Sequence, residues 1–171
     1  LIGEQIVQHL QTHTRSVMPS LRLNCIRGDG NCQFRALAKA DNRYGEGAYK
    51  ALRRECIEYV IRHQSKFEEW LPDSVRERTP DTMSNWAAKM RVDGEYGDNF
   101  TLFAAANILQ RPIIIIDIEG DQPPRPIIPR PWPLVLTANP IYVRHQRKGT
   151  KLHYDLFLSD VPAAGKVAVP A

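Results

Sequence analysis

Cys32 follows directly on Arg27-Gly28-Asp29-Gly30-Asn31, and an apolar run at helical spacing (Phe34, Leu37, Ala38) starts right behind it. Gly, Asp and Asn form tight, polar turns. A cysteine in the first turn of a helix meets unpaired backbone N–H groups and partial positive charge, which favour a thiolate over a thiol. Such a cysteine is a nucleophile if the chain also supplies a base. Of the five histidines, His9 and His13 fall in an N-terminal amphipathic stretch and His63 among charged neighbours in a helix. All three read as surface residues. His145 sits in Arg144-His145-Gln146-Arg147, a basic run read as a solvated loop whose charges disfavour an imidazolium. His153 differs. In Leu152-His153-Tyr154-Asp155-Leu156, a strand would set His153 and Asp155 on one face, carboxylate beside ring. Cys32, His153 and Asp155 then form the nucleophile, base and orienting group that acyl transfer through a thioester needs. Cysteine is equally a common buried hydrophobe, so spacing alone leaves catalysis and plain packing both open.

The elements that must position these groups follow from periodicity. Ile2, Ile6, Val7 and Leu10 predict an amphipathic helix over 1–15, halted at Met18-Pro19-Ser20, with Leu21 to Cys25 a brief extended piece. A helix is expected from Cys32 to Ala40. Leu52, Cys56, Tyr59, Val60, Phe67 and Trp70 predict one long helix from Ala48 to Trp70. Met83 to Met90 reads as another, and Asp98 or Asn99 caps one over 100–109, stopped by Arg111-Pro112. Ile113 to Ile116 is continuous and β-branched, as in a strand buried on both faces. The proline-rich stretch 120–133 predicts a stiff connector near polyproline II. Pro140 to Val143 and Leu152 to Leu158 are strand candidates, with Arg147-Lys148-Gly149 a turn between them. Early helices and late strands argue an α+β or α/β fold with a small sheet. Residues 1–160 are expected to form one domain, with 1–20 a helical extension and 161–171 a tail or linker.

The whole chain bounds the function classes. Its 171 residues suit one domain with a sizeable core, and 43% hydrophobic with 25% charged residues is a globular composition. No apolar run is long enough to span a bilayer, and no signal peptide opens the sequence. It begins at Leu1, as an excised segment would. A net charge of +4 without an aromatic-basic motif gives little support to nucleic-acid binding. Cys25, Cys32 and Cys56 are odd in number and lack CxxC spacing, which argues against a disulfide framework or a zinc site and for a reducing, intracellular compartment. No cofactor is expected.

Asp29-Gly30-Asn31-Cys32-Gln33-Phe34-Arg35-Ala36 resembles the nucleophile motif of the ovarian tumour (OTU) family of cysteine proteases, which remove ubiquitin from proteins. Tyr49 with Leu52-Arg53, the Gly94-Glu95-Tyr96-Gly97-Asp98 turn with Leu102 and Ala104-Ala105, the Ile113–Ile116 strand and His153-Tyr154-Asp155 are similar to further family elements, in the family's order. Tyr96 stands where many members carry Trp, Gln33 where an apolar residue is more usual, and the proline-rich segment is longer than expected. The resemblance implies an α+β, papain-like cysteine protease fold with a small central sheet flanked by helices. It implies isopeptide hydrolysis after ubiquitin's C-terminal glycine by Cys32, His153 and Asp155, with the Asp29, Gly30 and Asn31 loop forming an oxyanion hole. Ubiquitin or polyubiquitin would be the partner, with ubiquitin-like modifiers as further candidates. Ubiquitin's tail carries two arginines, for which Asp73, Asp81, Asp93 and Glu95 are the acidic candidates. The competing readings are a catalytically silent ubiquitin-binding module and a basic, nucleic-acid-associated domain.

Overall fold

The computed structural model describes residues 2–69, 82–117, 122–129, 139–148 and 151–159. In chain order these form α1 (Ile2–Val17), β1 (Leu21–Asn24), α2 (Cys32–Ala40), α3 (Tyr49–Arg62), α4 (Gln64–Glu68), α5 (Thr82–Met90), α6 (Asn99–Leu109), β2 (Ile113–Asp117), β3 (Arg125–Ile127), β4 (Ile141–Lys148) and β5 (Lys151–Ser159). The strands make one mixed sheet in the order β1-β5-β4-β2-β3. Only β2 and β4 run parallel.

Alternation along the strands splits the apolar residues between two faces. Ile113, Ile115, Val143 and Leu156 pack with Phe34 and Leu37 of α2, Leu52 and Val60 of α3, and Leu102 and Leu109 of α6. On the other face Ile114, Ile116 and Tyr142 meet Ile6, Leu10 and Val17 of α1. The fold is therefore α+β, a sheet between helical layers, and β2 is buried on both faces as its unbroken isoleucines require.

α6 begins on a reciprocal capping box. Asp98 Oδ1 accepts from the Thr101 N–H at 3.0 Å, and Thr101 Oγ1 accepts from the Asp98 N–H at 2.9 Å. It ends earlier than Arg111-Pro112, at Gln110, whose φ of 53° is the left-handed cap.

Three expectations are corrected. The single helix expected from Ala48 to Trp70 is interrupted at His63, and Trp70 lies outside the described residues. The Tyr59 carbonyl is shared there between the His63 N–H at 3.1 Å and His63 Nδ1 at 2.8 Å, with the ring stacked on Tyr59. A side chain that competes for a backbone carbonyl ends the regular ladder. Next, the proline-rich connector contains a strand: β3 pairs antiparallel with β2, placing Pro126 opposite Ile114. An edge strand tolerates proline because one side of its ladder is unused. Finally, β4 does not stop at Val143 but runs through the basic residues to Lys148, because β5 pairs with it along that whole length. The expected tail, 161–171, lies outside the described residues.

Candidate active site

The cleft of interest lies where the loop after β1, the 94–97 turn and the paired strands β4 and β5 converge. It encloses about 330 Å³, bounded among others by Gly28, Asp29, Tyr96, Arg144, His153 and Asp155. Cys32 stands in the first turn of α2, where the sequence puts it, only 1% exposed and with Sγ 3.9 Å from the carbonyl oxygen of Leu152, the residue before His153.

On β5, His153 Nε2 and Asp155 Oδ1 are 2.8 Å apart, the contact that a two-residue strand repeat delivers. Asp155 is 2% exposed. Its Oδ1 also accepts from the Ile26 N–H at 2.8 Å, and its Oδ2 accepts from Arg144 Nη2 at 2.6 Å. Burial pushes this carboxyl up, but the Ile26 amide, His153 and Arg144 together outweigh it and hold the group below the ordinary carboxylate range. An ionised Oδ1 only accepts, so the proton of neutral His153 sits on Nε2 and Nδ1 is free to act as a base. That nitrogen faces the nucleophile loop: a Cβ built on Gly28 would lie 3.9 Å from it.

The loop before Cys32 is held by side chains rather than by apolar contact. Asp29 Oδ1 accepts from the Asn31 N–H at 3.0 Å, and Arg35 grips the same carboxylate with Nε at 3.2 Å and Nη2 at 2.8 Å. Burial pushes the Asp29 carboxyl up; Arg35 and the Asn31 amide reverse that and leave it low. Asn31 Oδ1 receives Arg53 Nη2 at 2.6 Å and the Gly94 N–H at 3.3 Å. Arg53 is 5% exposed and bonds Gly30, Met90 and Glu95 carbonyls as well, its Cζ 4.2 Å from the centroid of the Phe34 ring. One guanidinium thus ties α3, the nucleophile loop and the 94–97 turn together. Gly30 passes so close to that turn that a Cβ would overlap the Gly94 carbonyl, which is why glycine is needed there. Gly97 likewise leaves room for the Gln33 side chain.

Several expectations change. Of the loop amides from Asp29 to Cys32 expected to cradle an oxyanion, three are engaged inside the loop: Asp29 N–H on the Arg27 carbonyl at 3.0 Å, Asn31 N–H on Asp29 Oδ1, and Cys32 N–H on the Asp29 carbonyl at 3.2 Å. Cys32 is not poised as a thiolate by its helix terminus. Burial raises its pKa, the Asp29 carboxylate adds to that, and nearby backbone N–H groups offset only part. Cys25, at the end of the extended piece, is exposed and lines the cleft. His145 is on β4 rather than in a solvated loop; it pairs across to Tyr154, on the sheet face opposite Asp155, with Nδ1 3.8 Å from Asp117 Oδ2. Among the acidic candidates for a substrate tail, Asp73 and Asp81 lie outside the described residues. Asp93 opens on a separate groove with Lys50, Arg54 and Arg91, and Glu95 pairs with Lys89 at 3.5 Å. Neither Asp93 nor Glu95 borders the His153 cleft.

Sequence reasoning missed Arg144, Arg53 and Gln33 as parts of the site. Gln33 is 1% exposed: its Nε2 donates to the Asp98 carbonyl at 3.3 Å, and its Oε1 accepts from Thr101 Oγ1 at 2.6 Å. The residue after the nucleophile is therefore linked to the cap of α6. Arg144 was legible in principle, since in an extended β4 it falls opposite Asp155. Among the described residues, no group of three His, Cys, Asp or Glu could hold a metal ion, and no helix is long and apolar enough to cross a membrane.

A helix-borne cysteine packed against a strand carrying a histidine–carboxylate pair, within an α+β sheet, defines the papain-like cysteine protease class of fold. A family model described as OTU-like cysteine protease matches residues 27–129, and the chain belongs to that family. Ovarian tumor domain-containing deubiquitinating enzyme 11 of Arabidopsis thaliana is 31% identical over 145 residues, 80% of this chain and 53% of that protein. Enzyme 10 of the same plant is 34% identical over 114 residues, 66% of this chain and 29% of that protein. The chain thus spans about half, or less, of the length of these relatives. Two solved structures share the fold. The OTUD1 OTU domain has a TM-score of 0.66 at 17% identity, over 88% of this chain and 94% of its own. An OTU domain solved in complex with ubiquitin has a TM-score of 0.60 at 16% identity, over 82% and 70%.

Proposed function

We propose that this chain is a deubiquitinating cysteine protease that hydrolyses the isopeptide bond after ubiquitin's C-terminal glycine, with Cys32 as nucleophile, His153 as base and Asp155 as its orienting group. The observation that carries this reading is the 2.8 Å His153–Asp155 contact, which leaves His153 Nδ1 turned to the loop that delivers Cys32. His153 Nδ1 takes the thiol proton as Sγ adds to the glycyl carbonyl carbon. The imidazolium then protonates the departing lysine amine as the C–N bond breaks, leaving a thioester. A water activated by the same nitrogen adds to the thioester, and collapse returns the thiol and a free ubiquitin carboxylate. For the backbone to stabilise the oxyanion, the Cys32 N–H must exchange the Asp29 carbonyl for the substrate oxygen. A donor so placed is typically worth about 2.7–4 kcal/mol.

Ubiquitin is the partner in this reading, as it is in the complexed OTU domain. Working thiol chemistry also favours a reducing compartment. The test is steady-state cleavage of the panel of diubiquitin linkages by wild-type chain, Cys32→Ala and His153→Ala. Hydrolysis of at least one linkage by the wild type alone supports the proposal. Retention of ubiquitin without cleavage by all three proteins would favour a binding module instead.

A further inference from the structure

The β4–β5 register places Arg144 directly opposite Asp155, and Arg144 Nη2 lies 2.6 Å from Asp155 Oδ2. Among the described residues this is the only donor to Oδ2, while Oδ1 serves both Ile26 and His153. Arg144 is itself fixed by little else: a 3.4 Å contact with Gln146 Oε1, and an Nε that is buried without an acceptor. Its side chain is one-fifth exposed, against one-fiftieth for Asp155.

We infer that Arg144 is a positioning residue for the reaction, holding Asp155 ionised and in plane so that His153 keeps its proton on Nε2 and presents Nδ1 to Cys32. The inference rests on the protease reading above. A carboxylate this buried, deprived of its cation, shifts toward the protonated form. A protonated Asp155 can donate to Nε2, which moves the ring proton to Nδ1 and removes the base. The other ionisable groups facing the pair are Asp29, Cys25 and Tyr96 across the cleft and Cys32 at the start of α2. None of them supplies a second cation.

The geometry also makes an unusual demand on Asp155→Asn. If its amide oxygen accepts from Ile26 and His153, its NH2 must point at the Arg144 guanidinium, donor against donor. Removing Arg144 should then help that variant, although it harms the wild type.

The experiment measures kcat and KM from about pH 5.5 to 9 with a fluorogenic ubiquitin C-terminal amide. The proteins compared are wild type, Arg144→Met, Arg144→Lys, Asp155→Asn and the Arg144→Met/Asp155→Asn double variant, each confirmed folded by its melt. Arg144→Met should lower kcat about 10- to 100-fold, comparable to losing the outer partner of a metal-bound histidine. The deficit should be larger at acid pH, with KM little changed, and Arg144→Lys should restore most of the rate. In the Asp155→Asn background the same Met substitution should raise activity. An Arg144→Met protein with the wild-type pH profile, or an equal fold-loss in both backgrounds, overturns the inference. The imidazole 15N spectrum supplies a readout that does not depend on turnover: wild type and Arg144→Lys should show His153 protonated on Nε2, and Arg144→Met a population protonated on Nδ1. If the wild type is inert toward ubiquitin while that shift appears, the protease reading fails and the role of Arg144 stands. Without the shift, the inference fails whatever the activity.

Discussion

Two thiols flank the loop before α2 in opposite conditions. Cys32 is 1% exposed with a raised pKa, and Cys25 is exposed. Alkylation rate follows thiolate fraction and access, so a small alkylating agent near neutral pH should label Cys25 first, Cys32 later and the fully buried Cys56 last. Peptide mass spectrometry over a time course checks the order, and Cys32 labelled ahead of Cys25 would show that burial does not govern its reactivity. Asp155 gives the second residue-scale prediction. Asp155→Ala removes the acceptor for His153 and strands Arg144, a broken pair that costs roughly 3–5 kcal/mol when fully buried and less at the exposure of Arg144. Urea unfolding should therefore register a loss of stability alongside the lost turnover. A variant that is inactive yet as stable as the wild type would mean the Arg144 contact contributes nothing to the fold.

At the scale of elements, the site is assembled by contacts between loops that the sequence displays as separate motifs. Gly30 and the 94–97 turn meet backbone to backbone, so Gly30→Ala must drive them apart and loosen Arg53 from Asn31 and Glu95. Its expected signature is lost turnover with a lowered melting temperature; a Gly30→Ala protein with native activity would contradict the close approach. Gln33→Leu should remove the amide that bonds the Thr101 hydroxyl and the Asp98 carbonyl and cost about 1–3 kcal/mol in unfolding free energy. The nucleophile helix, the β2 strand and the His153–Asp155 face were all legible from period and residue type, because each is a local property of a few neighbouring residues. Arg144 and the true length of β4 were not. Charged residues ended the strand on paper, whereas in the fold Asp155 answers Arg144 from the neighbouring strand. Likewise Arg53 read only as part of a helical family motif and Gln33 as an odd polar substitution until α3, α2 and the 94–97 turn are brought together.

For the whole molecule, the ionisable groups set a pH window for stability. Asp29, Asp41 and Asp155 are held low despite burial, by Arg35, by Arg43 and by the Ile26–His153–Arg144 set respectively. Their contribution is complete above the unfolded carboxylate value of about 4 and is lost as pH falls through their lower folded values. Burial raises Cys32, Cys56, Tyr142 and Tyr154. Their contribution is complete below the unfolded thiol value of about 8.5 and fades as pH climbs toward the folded values. Denaturant melts should accordingly show a plateau near neutrality with losses at about pH 3 and about pH 10. Stability that rises continuously between those limits would contradict it.

The central claim is that Cys32 attacks ubiquitin's C-terminal carbonyl with His153 as its base. Ubiquitin carrying a C-terminal electrophile tests it most directly, because the probe's affinity selects the residue in the catalytic position over the more exposed thiol. Incubation followed by peptide mapping should find the adduct on Cys32, absent from Cys32→Ala and strongly slowed in folded His153→Ala, with Cys25 unmodified. An adduct on Cys25, or bound ubiquitin with no covalent link to the wild-type chain, would contradict it.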